Sequence, residues 1–175
     1  MNINEQYLDS VKKRFADYKS LAEKAISQLP EEDLFKSPNQ DSNSIAIIVQ
    51  HLWGNMMSRW TNFLTEDGEK EWRDRDAEFE IVVKTKDELM QKWEEGWKCM
   101  FDSLNSLKPD ELLNTIHIRH EAHSAMDAIN RQLAHYPYHI GQIVFAAKIL
   151  KGGGFKSLSI PKGKSKEFNS GMMKK

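Results

Sequence analysis

Two of the six histidines, His135 and His139, lie four residues apart in the string His-Tyr-Pro-Tyr-His. On a helix this spacing places both side chains on one face, with Cβ atoms about 5–6 Å apart. Two imidazoles so spaced can bind one metal ion, as the histidines of an H-E-x-x-H helix do. The pair therefore predicts half of a metal site, although hydrogen-bonded histidines without a metal would show the same spacing. Pro137, between them, predicts a local kink.

A third ligand must come from another helix, and His51 is the best candidate because it lies beside an apolar helical stripe. Facing helices of a bundle build metal sites in its interior. Three protein ligands leave coordination positions open, which is typical of a reactive site. We therefore predict one divalent ion on His51, His135 and His139. Imidazoles suit zinc, nickel, copper and iron, and we favour zinc or nickel.

Polar side chains next to these histidines are candidate catalytic or pocket residues. Asn55 and Arg59 continue a polar stripe from His51, and Arg131 lies one turn before His135. An arginine in such a wall could hold a substrate carboxylate through two hydrogen bonds. A solvated helix face or an internal salt bridge would explain the same residues.

Two further features could do chemistry but have simpler explanations. His117, His120 and His123 lie in an alternating, strand-like segment, where they would not converge, so we expect exposed histidines. Cys99, the only cysteine, lies within a predicted helix with nothing near it to activate the thiol. We expect it to be inert rather than nucleophilic.

Four amphipathic helices would have to position the histidines. Apolar residues recur at helical spacing in four segments: residues 5–29, 45–64, 85–107 and 124–150. Pro30 ends the first segment, and Gly152 ends the last. The helices of the last three segments begin after Ser44, Thr85 and Ser124. Four such helices with modest connections predict an all-α four-helix bundle.

The connecting segments carry weaker signals. Residues 78–84 and 115–120 are typical of extended chain and could pair as a small β-ribbon. Residues 66–75 predict a loop with Trp72 buried. The tail, from about residue 155, shows no periodicity, and we expect its segment 159–161 to lie extended against the bundle.

Length and composition fit one domain over residues 1–175. The net charge of −1 argues against nucleic-acid binding. The one basic stretch is a group of four lysines in the tail, which a solvated tail explains at least as well. No apolar run approaches the roughly 20 residues that span a bilayer, so we expect no membrane partner. One cysteine and no secretory signal favour a cytoplasmic location.

Three strings together resemble a branch of the DinB superfamily: HLWGNMMSRWTNFLTEDGEKEWRDRDAEFE, NRQLAHYPYHIGQIVFAAKIL and SLSIPKGKSKEFN. The resemblance covers nearly the whole chain. It implies a four-helix bundle, usually a homodimer, with an open metal site of three histidines that correspond to His51, His135 and His139. Characterised members of the superfamily include transferases that use low-molecular-weight thiols such as bacillithiol, and a mycothiol-dependent isomerase.

Two classes of function follow from these observations. The first is a metal-dependent transferase that joins a low-molecular-weight thiol to a small-molecule substrate, or a metal-dependent hydrolase. The second is a stress-response protein that binds a metal or a small molecule without turnover. The residues alone do not separate the two classes, because function resides in the site rather than in the fold.

Overall fold

Four long helices form the bundle in the computed structural model, which describes residues 2–80 and 82–172. The helices are α1 (Ile3–Ile26), the short α2 (Glu31–Leu34), α3 (Ile45–Trp60), α4 (Lys86–Ser106), α5 (Ala125–Lys151) and the C-terminal α6 (Ser165–Met172). α3 packs along α4, α1 packs along α5, and α3 also contacts α5. The predicted all-α bundle with a small ribbon is confirmed.

Polar caps decide where the long helices begin. The hydroxyls of Ser44, Thr85 and Ser124 each accept a hydrogen bond from the backbone N–H three residues further on. Such caps satisfy donors that have no partner inside the helix. The helix starts predicted after these three residues are therefore confirmed. α3 ends four residues earlier than predicted, where Thr61 is extended and Asn62 has a φ of 51°.

Aromatic side chains fill the centre of the bundle. Trp60, Trp93 and Trp97 are buried there, and the ring of Phe15 packs against Trp60, Trp97 and Tyr136. Edge-to-face aromatic pairs add to the stability that burial of their area supplies. This aromatic core holds α1, α3, α4 and α5 together.

The β-ribbon forms from different partners than predicted. β1 (Thr115–Ile118) pairs with β2 (Glu121–Ser124) as an antiparallel hairpin. The predicted pairing of residues 78–84 with residues 115–120 is wrong, because Ala77–Phe79 forms a 3₁₀ turn; Ile81 lies outside the described residues. A two-residue hairpin turn closes at a small entropic cost, which favours the local pairing.

Two other expectations are corrected by the packing. Trp72 is 58% exposed, while Arg73 is buried among ion-paired side chains in its place. The tail contacts the bundle through Phe155 and Leu158. Residues 159–161 do not lie against the bundle as predicted, since Ile160 is 40% exposed and the chain then forms α6. No helix in the described part of the chain is long and apolar enough to cross a membrane.

Candidate metal centre

α3 and α5 bring the three predicted ligands together. The Nε2 atom of His135 lies 3.3 Å from that of His51 and 3.0 Å from that of His139. Candidate ligand atoms of all three residues lie within 4.8 Å of one another. Within residues 2–80 and 82–172, these histidines are the one group of three or more metal-ligating side chains so arranged. α5 continues through Pro137, so its two histidines keep a common face.

The other ring nitrogen of each histidine meets a hydrogen-bond acceptor. The Nδ1 atom of His51 lies 2.8 Å from Oε2 of Glu78, and that of His139 lies 2.9 Å from Oε1 of Gln142. His135 has a longer contact of 3.4 Å to Oε1 of Gln132. Since an ionised carboxylate only accepts hydrogen bonds, the Nδ1 atom of His51 carries the proton. Its Nε2 lone pair then faces the other two histidines.

This arrangement fits a divalent ion. Two imidazole nitrogens bound to one zinc at about 2.0–2.1 Å lie roughly 3.0–3.4 Å apart, depending on the coordination angle. The two Nε2 distances at His135 agree with that range. Acceptor atoms that face one another also favour a cation between them. His51, His135 and His139 are therefore suited to hold the ion through Nε2.

Burial keeps the two α5 imidazoles neutral. It is the main cause that lowers the pKa of His135 to about 3, assisted by the nearby His139 and His51. Burial also lowers the pKa of His139, against the hydrogen bond with Gln142. A neutral imidazole is the form that binds a metal, so protons compete weakly for these two ligands at neutral pH.

Glu78 is a contributor that the sequence did not reveal. Its carboxylate is 6% exposed and lies between His51 and Arg73. The Nε and Nη2 atoms of Arg73 donate to its two oxygens, at 2.7 Å and 3.1 Å. Carboxylates that hold a metal-binding histidine orient the ring and raise its basicity. In the sequence, Glu78 is one acid among many in a charge-rich loop, so no local pattern distinguishes it.

The predicted pocket residues have different surroundings. Asn55 is buried, and its Oδ1 accepts a hydrogen bond from the hydroxyl of Tyr136 at 3.1 Å. Arg59 is also buried and donates to the carbonyl of Gly68 and to Glu69. Arg131 is exposed, with Nη1 3.5 Å from Nε2 of His123. Only Arg131 thus presents its guanidinium to solvent.

The remaining candidates lie apart from the centre. His117 and His120 are exposed, and His123 is hydrogen-bonded to Asp127 at 2.8 Å. Cys99 is half-buried, and burial is the main cause that raises the pKa of its thiol. A raised pKa leaves less of the reactive thiolate at neutral pH.

The fold and this centre together define a helical-bundle protein with a candidate three-histidine metal site. The chain belongs to the family described as "Protein of unknown function (DUF1572)", whose model matches residues 2–164. Neither a curated protein nor a solved structure matches the chain. The matched residues include the three histidines and Glu78, whereas α6 lies beyond them.

Proposed function

We propose that this chain is a DinB-superfamily metalloprotein that transfers a low-molecular-weight thiol, such as bacillithiol, to a small electrophilic substrate. The observation that carries the proposal is the convergence of three Nε2 atoms, which suits one zinc or nickel ion. His135 and His139 are only half-buried, so the centre is accessible to small molecules. A cytoplasmic location, which we also propose, would keep such a thiol reduced.

The three imidazoles favour a negatively charged partner in the open coordination position. Because they are neutral ligands, they leave the charge of a divalent ion uncompensated. When bound, such an ion would lower the pKa of a thiol at that position and so supply the nucleophilic thiolate at neutral pH. In the proposed reaction a sulfur–carbon bond forms, the leaving group departs with its bonding electrons, and the thiol proton passes to solvent.

The thiol would come from a cofactor rather than from the protein. Cys99 is half-buried and its pKa is raised, which makes it a poor nucleophile. Arg131, one turn before His135, is exposed, and its guanidinium has only a long contact of 3.5 Å to Nε2 of His123 among the described residues. It is therefore the better of the two predicted arginines to bind a carboxylate of the cofactor, since Arg59 is already held by Gly68 and Glu69.

Metal analysis and a conjugation assay test this proposal. We expect about one zinc or nickel ion per chain, with strong loss of metal after His51→Ala, His135→Ala or His139→Ala. Bacillithiol, glutathione and cysteine would each be assayed with a chlorodinitrobenzene electrophile, comparing wild type with His139→Ala. His117→Ala is the matched control, because this histidine is exposed and outside the centre.

Two results would contradict the proposal. Full metal retention by the triple histidine variant would remove the ligand assignment. If the protein binds metal but no thiol reacts faster than with the metal-free protein, the transferase function is wrong. The non-catalytic metal-binding protein would then be the better description.

A further inference from the structure

The 3₁₀ turn Ala77–Phe79 holds the imidazole of His51 on two sides. Oε2 of Glu78 lies 2.8 Å from Nδ1 of His51, at the ring edge. The ring of Phe79 stacks on the imidazole face, with centroids 5.6 Å apart and an interplanar angle of 24°. Two consecutive residues of one turn therefore restrict both the position and the rotation of this ligand.

Gln50, the residue before His51, fastens this turn to α3. Its side-chain amide donates to the backbone carbonyls of Ala77, Glu78 and Glu80, at 3.3, 3.0 and 2.7 Å. Its Oε1 accepts from the backbone N–H of Val82 at 3.3 Å. Gln50 is 3% exposed, so these bonds are protected from water. The turn and the ligand are thus anchored at adjacent positions of the same helix.

Gly54, one turn after His51, provides the space that Glu78 occupies. A Cβ atom at Gly54 would lie 2.3 Å from Oε1 and 2.9 Å from Cδ of Glu78. Real Cβ atoms essentially never approach so closely, so an alanine would displace the carboxylate. Glycine is a poorer helix former than alanine, so its place inside α3 is explained by the space that the carboxylate of Glu78 requires.

Arg73 compensates the charge of the buried Glu78 carboxylate. Its side chain is 1% exposed and donates to both oxygens of Glu78. A buried carboxylate without such a partner would be strongly destabilising. With Arg73 in place, the carboxylate of Glu78 accepts a hydrogen bond from Nδ1–H of His51.

We propose that Glu78 is a positioning residue, which fixes the Nδ1–H tautomer of His51 and directs its Nε2 atom toward His135 and His139. Gly54 and Arg73 are required for it to do so. The inference rests on the metal site of the proposed function but not on the thiol transfer.

Zinc affinity tests the inference directly. It would be measured by competition with a chromophoric chelator for wild type, Glu78→Ala, Glu78→Gln and Gly54→Ala. Loss of an outer partner of a metal ligand weakens affinity about 10–100-fold, and we expect this for Glu78→Ala and Gly54→Ala. Glu78→Gln keeps an acceptor oxygen without the charge, so its loss should be smaller. Gly141→Ala is the control, since a Cβ there meets no atom within 4 Å.

A second readout needs no metal. Two-bond ¹H–¹⁵N correlation spectra of the metal-free protein at pH 8 report the tautomer of each neutral histidine. We expect His51 as the Nδ1–H form in wild type and Glu78→Gln, and a change toward the Nε2–H form in Glu78→Ala. Far-UV circular dichroism would verify the fold. Gly54→Ala remains informative if the loss of charge in Glu78→Ala unfolds the protein, because it keeps the carboxylate that compensates Arg73.

The outcomes separate this inference from the proposed function. A zinc affinity of Gly54→Ala within twofold of wild type, or an Nε2–H tautomer of His51 in wild type, would overturn the positioning role. Weaker zinc binding by Gly54→Ala, together with the Nδ1–H tautomer of His51 in wild type, supports the positioning role. A wild type that binds zinc and transfers no thiol defeats the transferase function and leaves the role of Glu78 intact.

Discussion

Each imidazole of the candidate centre has a second partner, and these partners differ in charge. Glu78 supplies a carboxylate to His51, whereas Gln132 and Gln142 supply neutral amide oxygens to the other two rings. A charged acceptor forms a stronger hydrogen bond than a neutral one. His51 should consequently be the most firmly oriented ligand, although it comes from the opposite helix.

Tyr136, next to His135, joins α3 and α5 behind the metal centre. Its hydroxyl accepts from the indole N–H of Trp60 at 2.8 Å and donates to Oδ1 of Asn55 at 3.1 Å. The side chain is fully buried. Tyr136→Phe would remove both hydrogen bonds and leave the indole N–H of Trp60 and Oδ1 of Asn55 buried without the hydroxyl. We therefore expect the free energy of unfolding, measured by urea denaturation, to fall by about 1–3 kcal/mol.

Tyr138→Phe is the matched control for that substitution. Tyr138 lies on the same helix and is 64% exposed, so its change should stay within about 0.5 kcal/mol. Equal effects of the two substitutions would contradict the role assigned to the Tyr136 hydroxyl.

At the scale of elements, the β-hairpin is held by a residue from a distant loop. Arg119 and His120 form its turn with φ values of 55° and 64°, a conformation that favours glycine or asparagine. Asp67 accepts hydrogen bonds from both of their backbone N–H groups, at 2.8 and 2.7 Å, and from that of Glu69 at 2.7 Å. These bonds compensate for the unfavourable backbone and tie residues 66–70 to the hairpin.

Asp67 should make stability depend on acid. Partial burial alone would raise its pKa, but the three backbone donors outweigh this and lower it to about 2. In the unfolded chain an aspartate has a pKa near 3.9. The unfolded state therefore binds more protons between about pH 4 and pH 2, and stability falls as the pH falls through this window.

Urea unfolding of wild type and Asp67→Asn at pH 7, 4, 3 and 2 measures this effect. We expect wild type to be the more stable protein at pH 7 and 4, and its advantage to shrink toward pH 2. An advantage that is independent of pH would contradict the assignment to the Asp67 carboxylate.

On the scale of the whole molecule, α5 carries an exposed apolar stripe that a second protein chain could cover. Tyr138, Phe145 and Ile149 are 64, 67 and 50% exposed and recur at helical spacing. Trp60, Trp93 and Trp97 are buried in the core and supply no such surface. The stripe on α5 therefore supports the homodimer that the DinB resemblance implies.

Light scattering at micromolar concentration tests this expectation. We expect twice the 20.3 kDa mass of one chain, and a shift to the monomer for Phe145→Glu. Phe168→Glu is the control, because Phe168 is also a phenylalanine, is 50% exposed and lies on α6. A clean monomer mass for the wild type would rule out the homodimer under these conditions.

The sequence by itself determined where the long helices begin and the spacing of the histidine pair. Caps such as Ser44 and Ser124 act on backbone groups three residues away, and the spacing of His135 and His139 acts within a single helix. Interactions of this kind are local, so their effect can be predicted without knowledge of the fold. His51 could be proposed as well, because its place beside an apolar stripe already indicated the bundle interior.

Only the tertiary structure decided what surrounds these ligands. Glu78 reaches His51 across 27 positions of the chain, and Asp67 reaches the hairpin turn across more than 50. Trp72 is exposed although its type favours burial, because the neighbouring Arg73 takes the interior position beside Glu78. Such contacts depend on how loops fold back over helices, and the energy of a buried ion pair depends on the neighbours that exclude water from it. A local pattern of residues encodes neither the path of such a loop nor the energy of such an ion pair.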